Sequence, residues 1–427
     1  MKPQAILTLY LVLFALEYLW ETLLTVLNIR HVRAHAQAPP EPFRGVIDQE
    51  TYRKSVDYTL TRNRFALISD TASSIFLLLV ILSGSLGWID TFLERFQLHP
   101  YLHGIVYIFV LSAVFGLFSL PFTLYSIFVI EERFGFNKMT WKLFLIDGIK
   151  SLILSVVIMT PLLYGLFWFM DATGKYWWVW AFLFLAGFQL LMVVIYPTVI
   201  APWFNKFSPL EEGSLRDKII ALAEKVRFRT SGIFVMDGSK RSKHSNAYFT
   251  GLGRVKRIVL FDTLIDTLGE DQVVSVLAHE IGHEKKNHIK KGLILSLVGM
   301  LFGLWILSLL LHYEPFFQAF GFSRPSYHAA IILFGFCSGP FTFFLTPLGS
   351  ILSRKYEYEA DRFAVDATGT AEFLKQALLK LSKDNLSNLT PHPWYSFYHY
   401  SHPTLAERLK AMEEYAKKKW GDVGVAV

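Results

Sequence analysis

The chain has 427 residues, of which 53% are hydrophobic, 16% aromatic and only 18% charged, with a mean hydropathy of +0.36. Soluble domains carry about 25% charged residues, so a purely water-soluble globule is excluded. The net charge of +7 fits the Lys and Arg that gather on the cytoplasmic side of membrane proteins, and no basic stripe interleaved with aromatics indicates a nucleic-acid partner.

Seven apolar runs reach the length of about 20 residues needed to cross a bilayer: Ile6–Leu27, Ile68–Trp88, Tyr101–Ile130, Ser151–Met170, Tyr176–Ile200, Gly292–His312 and His328–Leu352. The first lacks a small-residue cleavage exit and reads as a retained span. Glu17 and Glu21 lie within it, four residues apart. Carboxylates are costly in lipid, so they are expected to line an interior cavity, with a buried ion relay as the alternative. The third run exceeds the ~30 Å hydrocarbon core and should tilt or protrude. Pro121, Pro161, Pro197, Pro340 and Pro347 are candidate kinks.

Basic loops alternate with loops holding little more than Arg95, Lys175 or Arg324. That places the N-terminus outside or in a lumen, and the C-terminus in the cytoplasm. Cys337 is the one cysteine and sits in an apolar run, which excludes an internal disulfide framework and a cysteine-rich metal site.

Two polar segments remain. Ala201–Lys291 reads as a small α/β unit, with a helix near Leu215–Val226, strand-like "GIFVM", "NAYFTG" and "RIVLF", and a further helix from about Glu270. Arg354–Val427 reads as helices. The fold class expected is therefore mostly α and polytopic, with a small α/β domain at the cytoplasmic end. The expected division is residues 1–200 with five spans, and 201–427 with the polar unit, two more spans and the helical C-terminal segment.

The chemistry concentrates in "VLAHEIGHEKKNH", Val276–His288, which leads into the sixth span. On a helix His279 and His283 stand about 40° apart on one face, one turn apart, as a tetrahedral Zn²⁺ requires of two imidazoles. Glu280 lies beside them, placed to take a proton from a metal-bound water. The ordinary alternative is a solvated amphipathic helix, but two histidines and a glutamate are poor partners for the apolar "QVVSVL" that precedes them.

A third ligand must come from elsewhere. Continued helix puts His288 about 180° from His279, so it reads as a solvated or interfacial histidine. "SRKYEYEADRFA" offers Glu357, with Asp361 on the same face to orient a histidine, while Glu359 points away. Spacing alone leaves an ordinary charged helix equally open.

Several further motifs occur in order with these: "IEERFGFNKMT" (Ile130–Thr140), "IAPWFNKFSPLEEG" (Ile200–Gly213), "KHSNAYFTG" (Lys243–Gly251) and "SHPTLAERLKA" (Ser401–Ala411). With the seven spans they cover essentially the whole chain, which in this respect resembles the integral-membrane CAAX prenyl proteases, type 1, zinc metallopeptidases of the gluzincin class. The resemblance implies that His279, His283 and Glu357 hold one Zn²⁺, that Glu280 is the general base, and that Asp361 stands behind the ligands. It implies that Asn246 helps hold an extended substrate, and that His402 and Arg408 face the cleft, assisting the transition state or gripping a terminal carboxylate. It further implies seven helices forming a barrel around an intramembrane chamber, with 201–427 as the zinc metallopeptidase domain.

The function expected from the resemblance is a membrane-embedded zinc endopeptidase. Its partners are the bilayer and a peptide or protein substrate, with or without a prenyl group. It would remove three residues after a prenylated cysteine or, in a bacterium, act more broadly on membrane proteins. The compartment would be the endoplasmic reticulum or the inner membrane accordingly, and the tail "DVGVAV" carries no retrieval signal. A non-catalytic receptor or chaperone for lipidated tails has no need of Glu280. A transporter should show an inverted repeat, and none is evident.

Overall fold

The computed structural model describes residues 1–250 and 256–421, so Gly251 of "NAYFTG" and the tail "DVGVAV" lie outside the described residues. Among the described residues, seven helices are long and apolar enough to cross a membrane. In chain order the helices that matter are α1 (Pro3–Ala34), α2 (Gln49–Leu82), α3 (Ser85–Glu94), α4 (Pro100–Tyr125), α5 (Trp141–Ala172), α6 (Trp177–Ile195), α7 (Ser214–Lys225), α8 (Glu270–Lys285), α9 (His288–Leu310), α10 (Tyr327–Thr368), α11 (Glu372–Asp384) and α12 (Leu405–Trp420). All but α3, α7, α8, α11 and α12 are spans.

Each expected span is present, with two differences. The second was expected to reach Trp88, but α2 stops at Leu82 and the chain turns through Gly84 at φ +75° into α3. Only Ser83-Gly84-Ser85 interrupts the apolar run there, and the glycine supplies the left-handed turn. The seventh was expected to end at Leu352, but α10 runs on for 42 residues to Gly369, a left-handed C-cap. The third is continuous from Pro100 to Phe134, 35 residues, because a π-helical stretch, Ser126–Glu131, follows Pro121 without breaking it. That is about 52 Å of helix, more than a bilayer core.

The spans touch in sequence from α4 through α5, α6, α9 and α10, then α10 meets α1 and α1 meets α2. Phe65 and Phe76 of α2 pack on Phe115, Phe118, Phe122 and Tyr125 of α4, closing a ring of seven. Leu9, Val12, Leu16, Leu19 and Leu23 of α1 are exposed, which suits a surface facing lipid. One apolar core, including Tyr107, Phe167, Phe317 and Phe320, fills one end of the ring. A second joins Val32, Tyr52 and Val56 near the other ends of α1 and α2 to Ile258, Leu260, Leu277 and Val365.

That second core carries a four-stranded sheet of order β1-β2-β4-β3: β1 (Phe207–Pro209), β2 (Ile233–Met236), β3 (Ala247–Thr250) and β4 (Arg257–Phe261). The three strand-like segments are β2, β3 and β4; the three-residue β1 is too short to leave a pattern in sequence. β3 pairs antiparallel with β4 and is an edge strand. Phe261 N–H donates to Asn246 C=O, so Asn246 and Tyr248 face β4, while the backbone groups of Ala247 and Phe249 point outward.

Candidate metal centre

α8 is the element on which the site is built. Glu270 and Asp271 in its first turn complement the helix dipole, and Val273, Leu277, Ala278 and Ile281 form its buried face. Gly282 sits where α8 crosses α10. A Cβ there would stand 3.0 Å from Ala360 Cα and 3.1 Å from Ala360 O, so only glycine allows this approach. Because the backbones are this close, short side chains bridge them.

His279 Nε2 and His283 Nε2 lie 3.2 Å apart, and Glu357 of α10 places Oε2 3.4 Å from the first and Oε1 3.2 Å from the second. Ligands at about 2.0–2.1 Å from a tetrahedral ion are separated by about 3.3 Å, so this triangle has the size of one face of a zinc polyhedron. The hydrogen bonds behind the imidazoles agree. Asp361 Oδ1 lies 2.8 Å from His279 Nδ1, so that nitrogen carries the proton. His288 Nδ1 lies 3.0 Å from His283 Nδ1, and His288 Nε2 lies 3.1 Å from Glu359 Oε2. Glu359 therefore accepts a hydrogen bond from His288 Nε2–H, leaving His288 Nδ1 to accept from His283 Nδ1–H.

Both imidazoles thus aim an Nε2 lone pair at one point beside a carboxylate whose Oε2 is buried without a hydrogen bond. Such a cluster calls for a cation, and the donor set fits a divalent metal of the zinc type. Burial works against a charge on His279, but its hydrogen bonds to Asp361 and Glu357 raise it to about 9. A metal bound there would take the place of a proton.

The remaining expected residues fall as follows. Glu280 is half-buried next to His279, and burial pushes its carboxyl up. His402 Nε2 lies 3.4 Å from Glu357 Oε1, and its side chain is 61% exposed. Asn246 is exposed at the start of β3, with its Oδ1 accepting from Ala247 N–H at 2.8 Å. Arg408 is buried and donates to Asp361 through Nε at 2.9 Å and Nη2 at 2.6 Å, with Nη1 3.6 Å from Glu357 Oε2. It braces the carboxylate that holds His279.

His288 and Glu359 differ from expectation. His288 is 5% exposed, stacked on Tyr356 at 4.0 Å, and joined to Glu359. Helix α8 does not continue: Asn287 turns through φ +58° and α9 starts at His288, so the 180° rotation never accumulates. The signal in sequence was the asparagine, the residue besides glycine that most readily adopts this conformation.

A second group, Asp90, His103 and His328, also brings three possible ligands together. Both imidazole Nε2 atoms contact the same oxygen, Asp90 Oδ1, at 2.6 and 2.9 Å. These are hydrogen-bond lengths, and the group ties α3 to the starts of α4 and α10. Glu21 of α1 places Oε2 3.4 Å from His399 Nε2.

Residues 28–206 match the model of the CAAX prenyl protease N-terminal region with five membrane helices, and residues 209–416 match peptidase family M48. The chain is 38% identical over 413 residues to "CAAX prenyl protease 1 homolog" of Oryza sativa subsp. japonica, covering 95% of this chain and 96% of the relative. It is 39% identical to "CAAX prenyl protease 1" of Saccharomyces cerevisiae, covering 89% of each, and 34% identical to the Homo sapiens homologue, covering 93% of each. The crystal structure of S. mikatae Ste24p superposes with a TM-score of 0.91 at 35% identity, over 97% of this chain and 99% of that one.

Proposed function

This chain belongs to the CAAX prenyl protease 1 family of M48 metallopeptidases, and from that premise we propose that it cleaves peptide bonds on the C-terminal side of a prenylated cysteine with one zinc ion held by His279, His283 and Glu357. The observation that carries the site assignment is the convergence of two imidazole Nε2 atoms and one buried carboxylate within 3.4 Å of one another, with Glu280 beside them. Zinc bound there supplies Lewis acidity to the scissile carbonyl and lowers the pKa of its water.

The chain's own residues do the rest. Asp361, gripped by Arg408, keeps the proton on His279 Nδ1, and His288 with Glu359 does the same for His283. The outward C=O of Ala247 and the N–H and C=O of Phe249 add an extended substrate as a further strand, with Asn246, whose Oδ1 holds the Ala247 N–H, at its start. Glu280 takes a proton from the attacking water and returns it to the departing amine. His402, exposed at the edge of Glu357, donates a hydrogen bond to the oxyanion as it develops.

The ring between the two apolar cores serves as the chamber in which substrate is held, with the N-terminus outside and the peptidase domain, 201–427, in the cytoplasm. Glu280→Gln with zinc retained is expected to abolish cleavage of a prenylated peptide while leaving its binding intact. Undiminished cleavage in that variant would remove the mechanism.

A further inference from the structure

We propose that Arg62, Asn63 and Asn28 form a subsite for the substrate's C-terminal carboxylate, in the cavity that also reaches His402 and Arg408. This rests on the reading of the protein as a peptidase that trims C-termini. The cavity measures about 730 Å³, within the range of ligand sites, and takes walls from α1, α2, the loop after α11 and the start of α12. No Asp or Glu lines it, whereas two arginines and three histidines do.

Of the two arginines, Arg408 is committed to Asp361. Arg62 makes no direct ion pair with a carboxylate among the described residues, although Glu131, beyond Tyr58, feels its charge. Arg62 donates to the Tyr58 hydroxyl at 3.3 Å and lies 5.5 Å over that ring. Tyr58 uses its own proton on Glu131, at 2.7 Å, so the contact spends one guanidinium N–H and leaves the others for the cavity. Arg62 is exposed there rather than folded against a partner.

The two asparagines carry the argument further. Asn28 is 1% exposed, and its Oδ1 accepts from His392 N–H at 3.0 Å, which fixes the amide's orientation. Its Nδ2 is then buried with no partner, and so is Asn63 Nδ2 on the neighbouring helix. Leaving buried donors unmade is costly, and both asparagines belong to the lining of this cavity. Amide N–H donors in a lining that also holds an exposed guanidinium favour an acceptor that carries negative charge on two oxygens. A chain terminus three residues beyond the scissile bond lies about 10 Å from it when extended, and the cavity's lining runs from His402 and Arg408 to Arg62 and Asn63.

The test uses full-length, zinc-loaded protein in detergent and two prenylated peptides alike except at the last residue, one a free acid and one a primary amide. Binding is read by fluorescence anisotropy on the Glu280→Gln protein, and cleavage on the native one. The acid is expected to bind about 10- to 100-fold tighter than the amide, the range for a charge-assisted contact. Arg62→Gln and Arg62→Leu should bring the two peptides level, and Asn63→Ala should narrow the gap.

Equal affinity of acid and amide for the parent protein overturns the proposal without needing any Arg62 variant. So does a preference that survives both Arg62 substitutions. If native protein cleaves neither peptide while the binding preference stands, the peptidase reading fails and the subsite remains. If both are cleaved with the same KM, the subsite fails alone.

Discussion

Gly282→Ala isolates how closely α8 must approach α10. The new Cβ would lie 3.0 Å from Ala360 Cα, 3.1 Å from Ala360 O and 3.1 Å from Phe363 Cβ. Such contacts are tighter than ordinary van der Waals spacing of about 3.5–4.0 Å, so the helices must part by a few tenths of an ångström. Overpacking of this kind costs about 1–3 kcal/mol. Replacing glycine by alanine inside a helix returns about 1 kcal/mol, leaving a net loss of about 0–2 kcal/mol. The metal is affected more than the fold, because His279 and His283 ride on one helix and Glu357 on the other. Ligand distances tolerate only about 0.2 Å, so zinc affinity is expected to fall at least about tenfold. Competition against a fluorescent chelator measures it. Gly299→Ala is the control, since a Cβ there meets nothing within 4 Å. Zinc binding within twofold of the parent in Gly282→Ala, or equal damage from Gly299→Ala, would refute the reasoning.

Two further predictions concern groups behind the site. His288→Phe keeps the stack on Tyr356 but removes the acceptor for His283 Nδ1–H, whereas His288→Asn keeps an acceptor. Zinc affinity should drop by about 10- to 100-fold in the first and largely survive in the second, and equal losses in both would show that only packing matters. The other is a pH dependence away from the metal. His244 is raised above the ordinary histidine value by its hydrogen bond to Glu131, against some burial, with Asn385 also helping at 2.9 Å. A group raised on folding stabilises the fold fully below its unfolded value, about 6.5, and that contribution disappears as pH rises through the raised value. The unfolding midpoint should therefore decline from pH 6.5 upward, and Glu131→Gln should flatten that decline. An unchanged slope in the variant would assign it to other groups.

How much was legible depended on the range of the interaction that specified each feature. The seven spans are properties of local composition, since about 20 apolar residues suffice whatever they pack against. His279 and His283 were equally local, a four-residue spacing on one helix. Glu357 was not, because it lies on a different helix and its distance from the imidazoles is set by Gly282 and Ala360, a contact no spacing encodes. His288 shows the opposite failure. Its place was deduced by extending the helix, and a single residue, Asn287, cancelled the extension. The break between α2 and α3 has the same origin in Gly84, inside an apolar run.

The join between α8 and α9 also explains why the helix carrying His279 and His283 lies against a membrane span. Asn287 lets the chain leave the site and enter the bilayer within one turn, so that His283 and His288 face each other across the corner. On the other side, α10 crosses without interruption from the buried His328 near one end of the ring to Glu357, Glu359 and Asp361 near the metal centre. Two of the ring's walls are therefore continuous with the elements that hold the ligands. A change in how the ring is packed would be felt at the metal through α10, with no loop between to absorb it.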